Sequence, residues 1–269
     1  CHLYPDVLNL YGDRGNVLCI KKRLEWRGIG CTVTELPIGE RRGLGNFDLF
    51  FVGGGQDFEQ GLLLEDLRGG KPLGTADDLT GYDLFFIGGG QDFEQTVLLA
   101  DLRAGRAENI RAAAEDGAAF LCVCGGYQLM GHHYDTVSGA RCAGLDVLDL
   151  VTEGAEERMI GNFAFETEFG PVVGFENHSG RTRLGPGAQP LGRVLRGFGN
   201  NGEDGTEGAR YKNVFGTYSH GPVLPKNPGF CDGILLAALR RRYGDAELSP
   251  LPDLSEREAH ESVLAKLLG

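Results

Sequence analysis

Three short apolar runs that end in glycine constrain the fold of this chain most strongly. Residues 47–52 read FDLFFV, residues 82–87 read YDLFFI, and residues 118–124 read AAFLCVC. Unbroken apolar runs of this length are typical of strands covered on both faces. Helical patterns at 16–27 and 107–116 alternate with them. We therefore predict an α/β fold with a doubly wound, mostly parallel sheet, in which ligands lie beyond the carboxyl ends of the strands.

Two of these runs belong to a duplicated segment. Residues 37–71 and 72–106 align at a constant offset, and 21 of 35 positions are identical. Each copy carries the motif GGGQDFEQ directly after its apolar run. Because a solenoid needs at least three stacked repeats, two copies indicate a tandem duplication of one strand-loop-helix element.

Composition excludes several classes of protein. The net charge of -12 argues against nucleic-acid binding, which needs a basic face. No stretch approaches the roughly 20 apolar residues of a membrane-spanning helix, so we predict a cytoplasmic protein. The seven cysteines include no CxxC pair, so neither a disulfide framework nor a metal site is predicted.

The second half of the chain has weaker periodicity. Between 172 and 222 we predict short strands joined by long turns, followed by a helix over about 230–242. A final helix should begin at a capping box formed by Ser255 and Glu258. We divide the chain into an amidotransferase domain at 1–244, for reasons given below, and a linker with a helix at 245–269.

The strongest local signal for chemistry is FLCVCGGYQLMG at 120–131. A buried strand ends at Cys124, two glycines follow, and a helix begins. This sharp strand-to-helix turn would lift the Cys124 side chain out of the sheet, as in a nucleophile elbow. The helix N-terminus would also favour the reactive thiolate. Cys122 lies deeper in the same strand, and we interpret it as a structural core residue.

A thiolate nucleophile needs a base, and histidine is the usual one. His220 follows the strand-like run VFGTYS and precedes Gly221 and Pro222, so it should project from a carboxyl edge of the sheet. His178, in the motif ENHSGRT, could face the substrate or cap a turn. The others are expected to point away from the thiol or to be solvated, namely His2, His132, His133 and His260.

An acyl intermediate also needs hydrogen-bond donors for its oxyanion. The N–H group of Gly125, directly after the nucleophile, is one candidate donor. The other should come from a GGGQD loop on the neighbouring strand.

These motifs together resemble one family. LYPDVLNLYGDRGN, GGGQDFEQ, CGGYQLMG, VGFENHSGRT and GTYSHGPVLPKNP occur here in the same order as in the class I glutamine amidotransferases of the cobyric-acid-synthase-like branch. The resemblance is closest to the GatD family, the glutaminase subunits of lipid II isoglutaminyl synthases. It covers nearly the whole chain and implies a flavodoxin-like amidotransferase fold.

The resemblance assigns roles to individual residues. It implies that Cys124 attacks the side-chain amide of L-glutamine and that His220 serves as general base and acid. Arg158 matches a position that binds the substrate, and Asp13 matches an acidic position near the site, a candidate orienting acid. The wider class has Glu two residues after the histidine, where this chain has Pro222, so the third catalytic member stays open.

The resemblance also implies a partner and no cofactor or metal. The chain has no GxxxxGK[ST] motif and no second synthetase region, so it should deliver ammonia to a separate subunit. That subunit would be a MurT-like, ATP-binding Mur ligase that amidates D-glutamate of the lipid II stem peptide to D-isoglutamine. The alternatives are an amidotransferase for another acceptor, such as a corrinoid, and a catalytically silent binding protein on the same fold.

The family pattern has one GGGQD loop where this chain has two. The spacing from Asp13 to Gly53 places the first copy in register with the N-terminal motif. The spacing from Gly88 to Cys124 places the second copy in register with the nucleophile. We predict that the second copy lies beside the Cys124 strand through a short right-handed crossover, with Gly89 as the oxyanion donor. Gly54 is the alternative if the first copy is used.

Overall fold

The fold is seen in a computed structural model, which describes residues 1–6, 8–9, 12–37, 40, 46–54, 79–89 and 106–269. The parts of the two copies after Gly54 and Gly89, at 55–78 and 90–105, lie outside the described residues. The helices described are α1 (Arg14–Glu25), α2 (Arg106–Glu115), α3 (Gly125–Leu129), α4 (Val223–Lys226), α5 (Pro228–Tyr243) and α6 (Leu254–Leu268).

A seven-stranded sheet forms the centre of the molecule. Its strands are β1 (His2–Leu3), β2 (Glu35–Leu36), β3 (Leu49–Val52), β4 (Leu84–Ile87), β5 (Ala119–Val123), β12 (Ala209–Tyr211) and β13 (Val214–Thr217). They lie in the order β2-β1-β3-β4-β5-β13-β12. All neighbours are parallel except β12 and β13. The prediction of a mostly parallel α/β sheet is confirmed.

The two copies are adjacent strands of this sheet. β3 and β4 pair in parallel so that each residue lies opposite its own duplicate, as Phe50 does with Phe85 and Phe51 with Phe86. The rings of Phe51 and Phe86 stack with centroids 4.0 Å apart. The first copy is therefore an added strand, inserted between β1 and the second copy.

Alternating side chains of these strands fill two cores. Phe50, Phe85 and Phe120 face one side, where α2 packs, and Phe51, Phe86 and Leu121 face the other, where α1 and α5 pack. Burial of both faces explains why the apolar runs are unbroken, since neither set of alternate residues meets water.

A second, six-stranded sheet follows the nucleophile strand in sequence. It contains β6 (His133–Asp135), β7 (Arg141–Ala143), β8 (Leu150–Thr167), β9 (Gly170–Leu184), β10 (Gly192–Arg196) and β11 (Thr206–Glu207). Its order is β11-β10-β8-β6-β7, with β9 paired to β8. The expectation of short strands was wrong here, because β8 and β9 form one long antiparallel ribbon. The charged run GAEER hides it, since it forms a bulge between Gly154 and Met159.

The C-terminal helix also differs from the prediction. α6 begins at Leu254 with Asp253 at the N-cap position, and no side chain caps it. The Asp253 carboxylate instead accepts hydrogen bonds at 3.0 and 2.7 Å from the buried Arg23 guanidinium. Ser255 therefore lies inside the helix, and the predicted capping box does not form. α6 packs against α4 and against β8, β9 and β10. The division into 1–244 and 245–269 stays a prediction.

Candidate active site

Cys124 lies at the carboxyl end of β5, in the centre of the main sheet. Its backbone has φ 51 and ψ -109, in a region that residues with a side chain rarely adopt. Its N–H donates to the Thr217 carbonyl, and its own carbonyl accepts from Gln128 N–H in α3, both at 2.9 Å. The strained turn is therefore held by hydrogen bonds from both sides, and it directs the thiol away from the strand.

The glycines after Cys124 are required by close packing. A Cβ atom added to Gly126 would lie 2.4 Å from the carbonyl oxygen of Ile87, the last residue of β4. Only glycine lets α3 begin this close to the neighbouring strand. The turn that presents the nucleophile is thus packed directly against the second copy.

The two glycine loops have different neighbours. A Cβ atom added to Gly89 would lie 3.1 Å from Cβ of Cys124 and 3.5 Å from Cε1 of His220. One added to Gly54 would lie 3.0 Å from the Gly89 carbonyl oxygen and 3.7 Å from Oδ2 of Asp13. The second copy lies against the candidate nucleophile and base, and the first copy lies behind it.

His220 follows β13 and is almost completely buried. Its N–H donates to the Phe175 carbonyl at 2.8 Å, which anchors the residue to β9. Burial, followed by the positive charges of His178 and Arg158, lowers the pKa of His220 to about 3. The imidazole is therefore neutral near neutral pH and able to accept a proton.

Arg158 lies in the bulge of β8 and is exposed. Its Nε donates to Oδ1 of Asn177 at 3.0 Å, and its Nη2 donates to the Asn177 carbonyl at 3.1 Å. These bonds hold the guanidinium over β9, close enough to His220 to affect its pKa. A fixed cation at the rim of the site suits recognition of a carboxylate.

Asp13 and Pro222 lie on the other side of His220. A Cβ atom added to Gly15 would lie 2.7 Å from Cγ of Pro222, so Pro222 packs on the first turn of α1. The Asp13 carboxylate accepts a hydrogen bond at 2.9 Å from the Gly54 N–H. Asp13, Gly54, Gly89 and His220 line one small void of about 10 Å³.

The remaining histidines divide clearly. His178 is buried, with its ring stacked on Tyr218 at 3.5 Å and Nδ1 2.9 Å from the Gly180 carbonyl. His132 points away from the thiol and binds Asp146 and Asp149. The expectation that His2 is solvated was wrong, because β1 buries it. Cys122 is fully buried, and burial raises its pKa, which agrees with a structural role.

Sequence reasoning missed the polar support beneath His220. Glu207 is fully buried and accepts hydrogen bonds from Thr217 Oγ1 at 2.6 Å and from Tyr218 N–H at 2.8 Å. Tyr218 in turn binds Gln128 and Thr182. Burial raises the pKa of Glu207 to about 7. No sequence signal marked Glu207, because it lies in the polar stretch GEDGTEG.

The described parts of the chain contain no group of three or more His, Cys, Asp or Glu residues able to hold a metal ion. Among the helices that the structure describes, none is long and apolar enough to cross a membrane.

Comparison with known proteins agrees with this architecture. Residues 70–228 match the CobB/CobQ-like glutamine amidotransferase domain. The lipid II isoglutaminyl synthase (glutamine-hydrolyzing) subunit GatD of Staphylococcus aureus is 35% identical over 98% of this chain and 93% of its own length. The GatD subunit of Streptococcus pneumoniae is 36% identical over 97% of this chain and 88% of its own length.

More distant similarities are consistent with these. The cobyric acid synthase of Pelotomaculum thermopropionicum is 36% identical over 51% of this chain but only 29% of its own length. A crystal structure of a glutamine amidotransferase has 19% identity and a TM-score of 0.50, and the match covers 88% of this chain and 98% of that one. The fold, the matched domain and the near full-length identity together place this chain in the GatD-like group of class I glutamine amidotransferases.

Proposed function

We propose that this chain is a glutaminase subunit, which hydrolyses L-glutamine to glutamate and ammonia. The observation that carries the proposal is the meeting of Cys124, His220 and Gly89 at one point on the carboxyl edge of the sheet. A strained cysteine beside a neutral histidine and a glycine loop has the groups that acyl transfer needs.

In the proposed reaction, His220 takes the thiol proton of Cys124, and the sulfur attacks the side-chain amide carbon of glutamine. The N–H groups of Gly125 and Gly89 donate to the oxyanion. His220 then protonates the leaving nitrogen, and ammonia departs from the thioester. Water, deprotonated by His220, attacks the thioester and releases glutamate with a restored thiol.

Arg158 and Asp13 complete the proposed site. Arg158 would hold the α-carboxylate of glutamine, since its guanidinium is fixed at the rim by Asn177. Asp13 is the candidate orienting acid. Pro222 occupies the position at which the wider class has a glutamate, and it packs on the helix turn that carries Asp13.

We propose that ammonia passes to a MurT-like, ATP-binding Mur ligase subunit that amidates D-glutamate of the lipid II stem peptide, in the cytoplasm. The printed names of the two GatD relatives support this acceptor. Their similarity covers nearly their whole length, whereas the cobyric acid synthase match covers only 29% of that enzyme. A corrinoid acceptor and a silent binding role are the alternatives.

Release of glutamate from glutamine tests the catalytic proposal. The wild-type chain and Cys124→Ala would be compared with and without the Mur-ligase-like subunit. We expect release by the wild type and at least about a 10³-fold loss in the variant. Equal, slow hydrolysis by both with the partner present would favour the silent binding protein.

Mass spectrometry of the products tests the acceptor separately. With the partner, ATP, glutamine and lipid II, the stem peptide should gain one amide. Amidation of a corrinoid instead, by a corrinoid-processing partner, would overturn the cell-wall assignment and leave the glutaminase assignment standing.

A further inference from the structure

Asp13 lies at a helix N-terminus but does not act as an ordinary cap. An aspartate at this position usually accepts a hydrogen bond from the second or third N–H of its own helix. Asp13 is at the N-cap position of α1, and its side chain makes no such bond. Its buried carboxylate accepts the N–H of Gly54 at 2.9 Å, in the loop of the first copy.

Gly54 in turn lies against the loop of the second copy. Its added Cβ atom would lie 3.0 Å from the carbonyl oxygen and 3.3 Å from the nitrogen of Gly89. A Cβ atom added to Gly88 would lie 2.5 Å from the Gly54 nitrogen. The two glycine loops therefore touch backbone to backbone, without side chains that could rotate to absorb a displacement.

Gly89 completes the sequence of contacts. It is the residue packed against Cβ of Cys124 and Cε1 of His220. A continuous path therefore leads from Asp13 through Gly54 and Gly89 to the candidate nucleophile and base. Each step is a hydrogen bond or a contact between backbone atoms.

We propose that Asp13 is a positioning residue that acts through the first copy: by holding the Gly54 N–H, it fixes the Gly89 loop at the reacting groups. The inference rests on the proposed glutaminase function and specifies what the orienting acid orients. It gives the duplicated strand a role as a spacer between α1 and the active-site loop. The hydrogen-bond acceptor of Asp13 matters in this role, and its charge on the imidazole does not.

Substitution of Asp13 separates these two roles. Asp13→Asn keeps an oxygen that can accept the Gly54 N–H, whereas Asp13→Ala removes it. We expect Asp13→Ala to lower kcat for glutamine hydrolysis about 10- to 100-fold with little change in KM, since small displacements of catalytic groups cost this much. Asp13→Asn should recover most of that loss and leave the pH profile unchanged. An equal loss in both variants would overturn the inference.

Gly54→Ala tests the path without touching Asp13. Its methyl group would press on the Gly89 peptide, and we expect kcat to fall about tenfold. Gly81→Ala is the matched control, because a Cβ atom there meets nothing within 4 Å. Alkylation of Cys124 by iodoacetamide needs no oxyanion donor, so its rate should be unchanged in Gly54→Ala. A parallel fall in alkylation would indicate general damage and contradict the inference.

Amide hydrogen exchange gives a readout that needs no activity. In the full chain, Asp13→Ala should raise exchange about tenfold in peptides that contain Gly54 and Gly89, and Asp13→Asn should not. Unchanged exchange at Gly89 in Asp13→Ala would overturn the inference even if the wild type proves active. A wild type that releases no glutamate would instead count against the proposed function, and exchange would still decide whether Asp13 holds the loops.

Discussion

The two copies of the glycine-ending strand have nearly the same sequence and the same backbone course, but different neighbours. β3 and β4 pair residue for residue. Yet the loop after β4 touches Cys124 and His220, and the loop after β3 touches Asp13 and the β4 loop. A glycine loop therefore takes its role from the strand beside it, since its own residues are the same in both copies.

The same contrast holds at the other end of the strands. Asp48 and Asp83 occupy equivalent positions in the duplicates, but their side chains are 82% and 8% exposed. Asp83 binds Arg241 at 2.7 Å and Arg242 at 2.6 Å, whereas Asp48 binds only Arg242 among the described residues, at 3.1 Å. The more central strand has its aspartate under α5, and the added strand leaves its aspartate in water.

The largest effect should be the same in both copies. Gly53→Ala would place a Cβ atom 2.1 Å from the Leu8 carbonyl oxygen, and Gly88→Ala one 2.5 Å from the Gly53 carbonyl carbon. Because backbone cannot rotate away, we expect each to lower the free energy of unfolding by about 3 kcal/mol. Urea denaturation measures this against Gly81→Ala. A stable Gly88→Ala variant would contradict the close packing of the loops.

Activity should separate the copies. The methyl group of Gly89→Ala would enter the space between Cys124 and His220, so we expect kcat to fall about 100-fold, or about 2.7 kcal/mol. Gly54→Ala should lose less, as argued above. Glutamate release gives the rates, and thermal unfolding is the control for stability. If Gly54→Ala proved the more damaging variant, the roles of the two loops would be reversed.

The aspartates offer a matched pair for stability. Asp83→Ala should cost about 2 kcal/mol, because it leaves two arginines without their mostly buried partner. Asp48→Ala should cost no more than about 0.5 kcal/mol, since its ion pair is exposed to solvent. Chemical denaturation of both variants measures the difference. Equal losses would mean that the two strands share one environment.

The smallest expected effect concerns pH. Burial lowers the pKa of His220 to about 3 from its ordinary value of 6.5, so the base stays neutral as the pH falls through 6.5. We expect kcat/KM for glutamine to show no histidine limb between about pH 5 and about pH 7. A decline with an apparent pKa near 6.5 that disappears in His220→Asn would show a solvated histidine and break its contact with Gly89.

Stability should respond to the same lowered pKa. The unfolded state binds a proton at His220 below pH 6.5 and the folded state does not, so stability falls as the pH decreases below 6.5. His220→Asn should lose less stability than the wild type over that range.

Much of the fold could be predicted from sequence because it depends on local pattern. Unbroken apolar runs gave the parallel strands, and the glycines after Cys124 gave the strand-to-helix turn. The β8–β9 ribbon could not be predicted, because its bulge of charged residues interrupts the alternation. The support that Glu207 gives to β13 was also missed, since a buried carboxylate in a polar stretch has no local signature.

By itself, the sequence determined that this chain has a nucleophile turn at Cys124, a histidine after a later strand, and two copies of one glycine loop. Only the tertiary structure decided which copy lies against Cys124 and His220 and what the other one does. The physical reason is that both loops have the same residues and the same backbone freedom. Strand order alone brings Gly89 to the candidate reacting groups and Gly54 to Asp13.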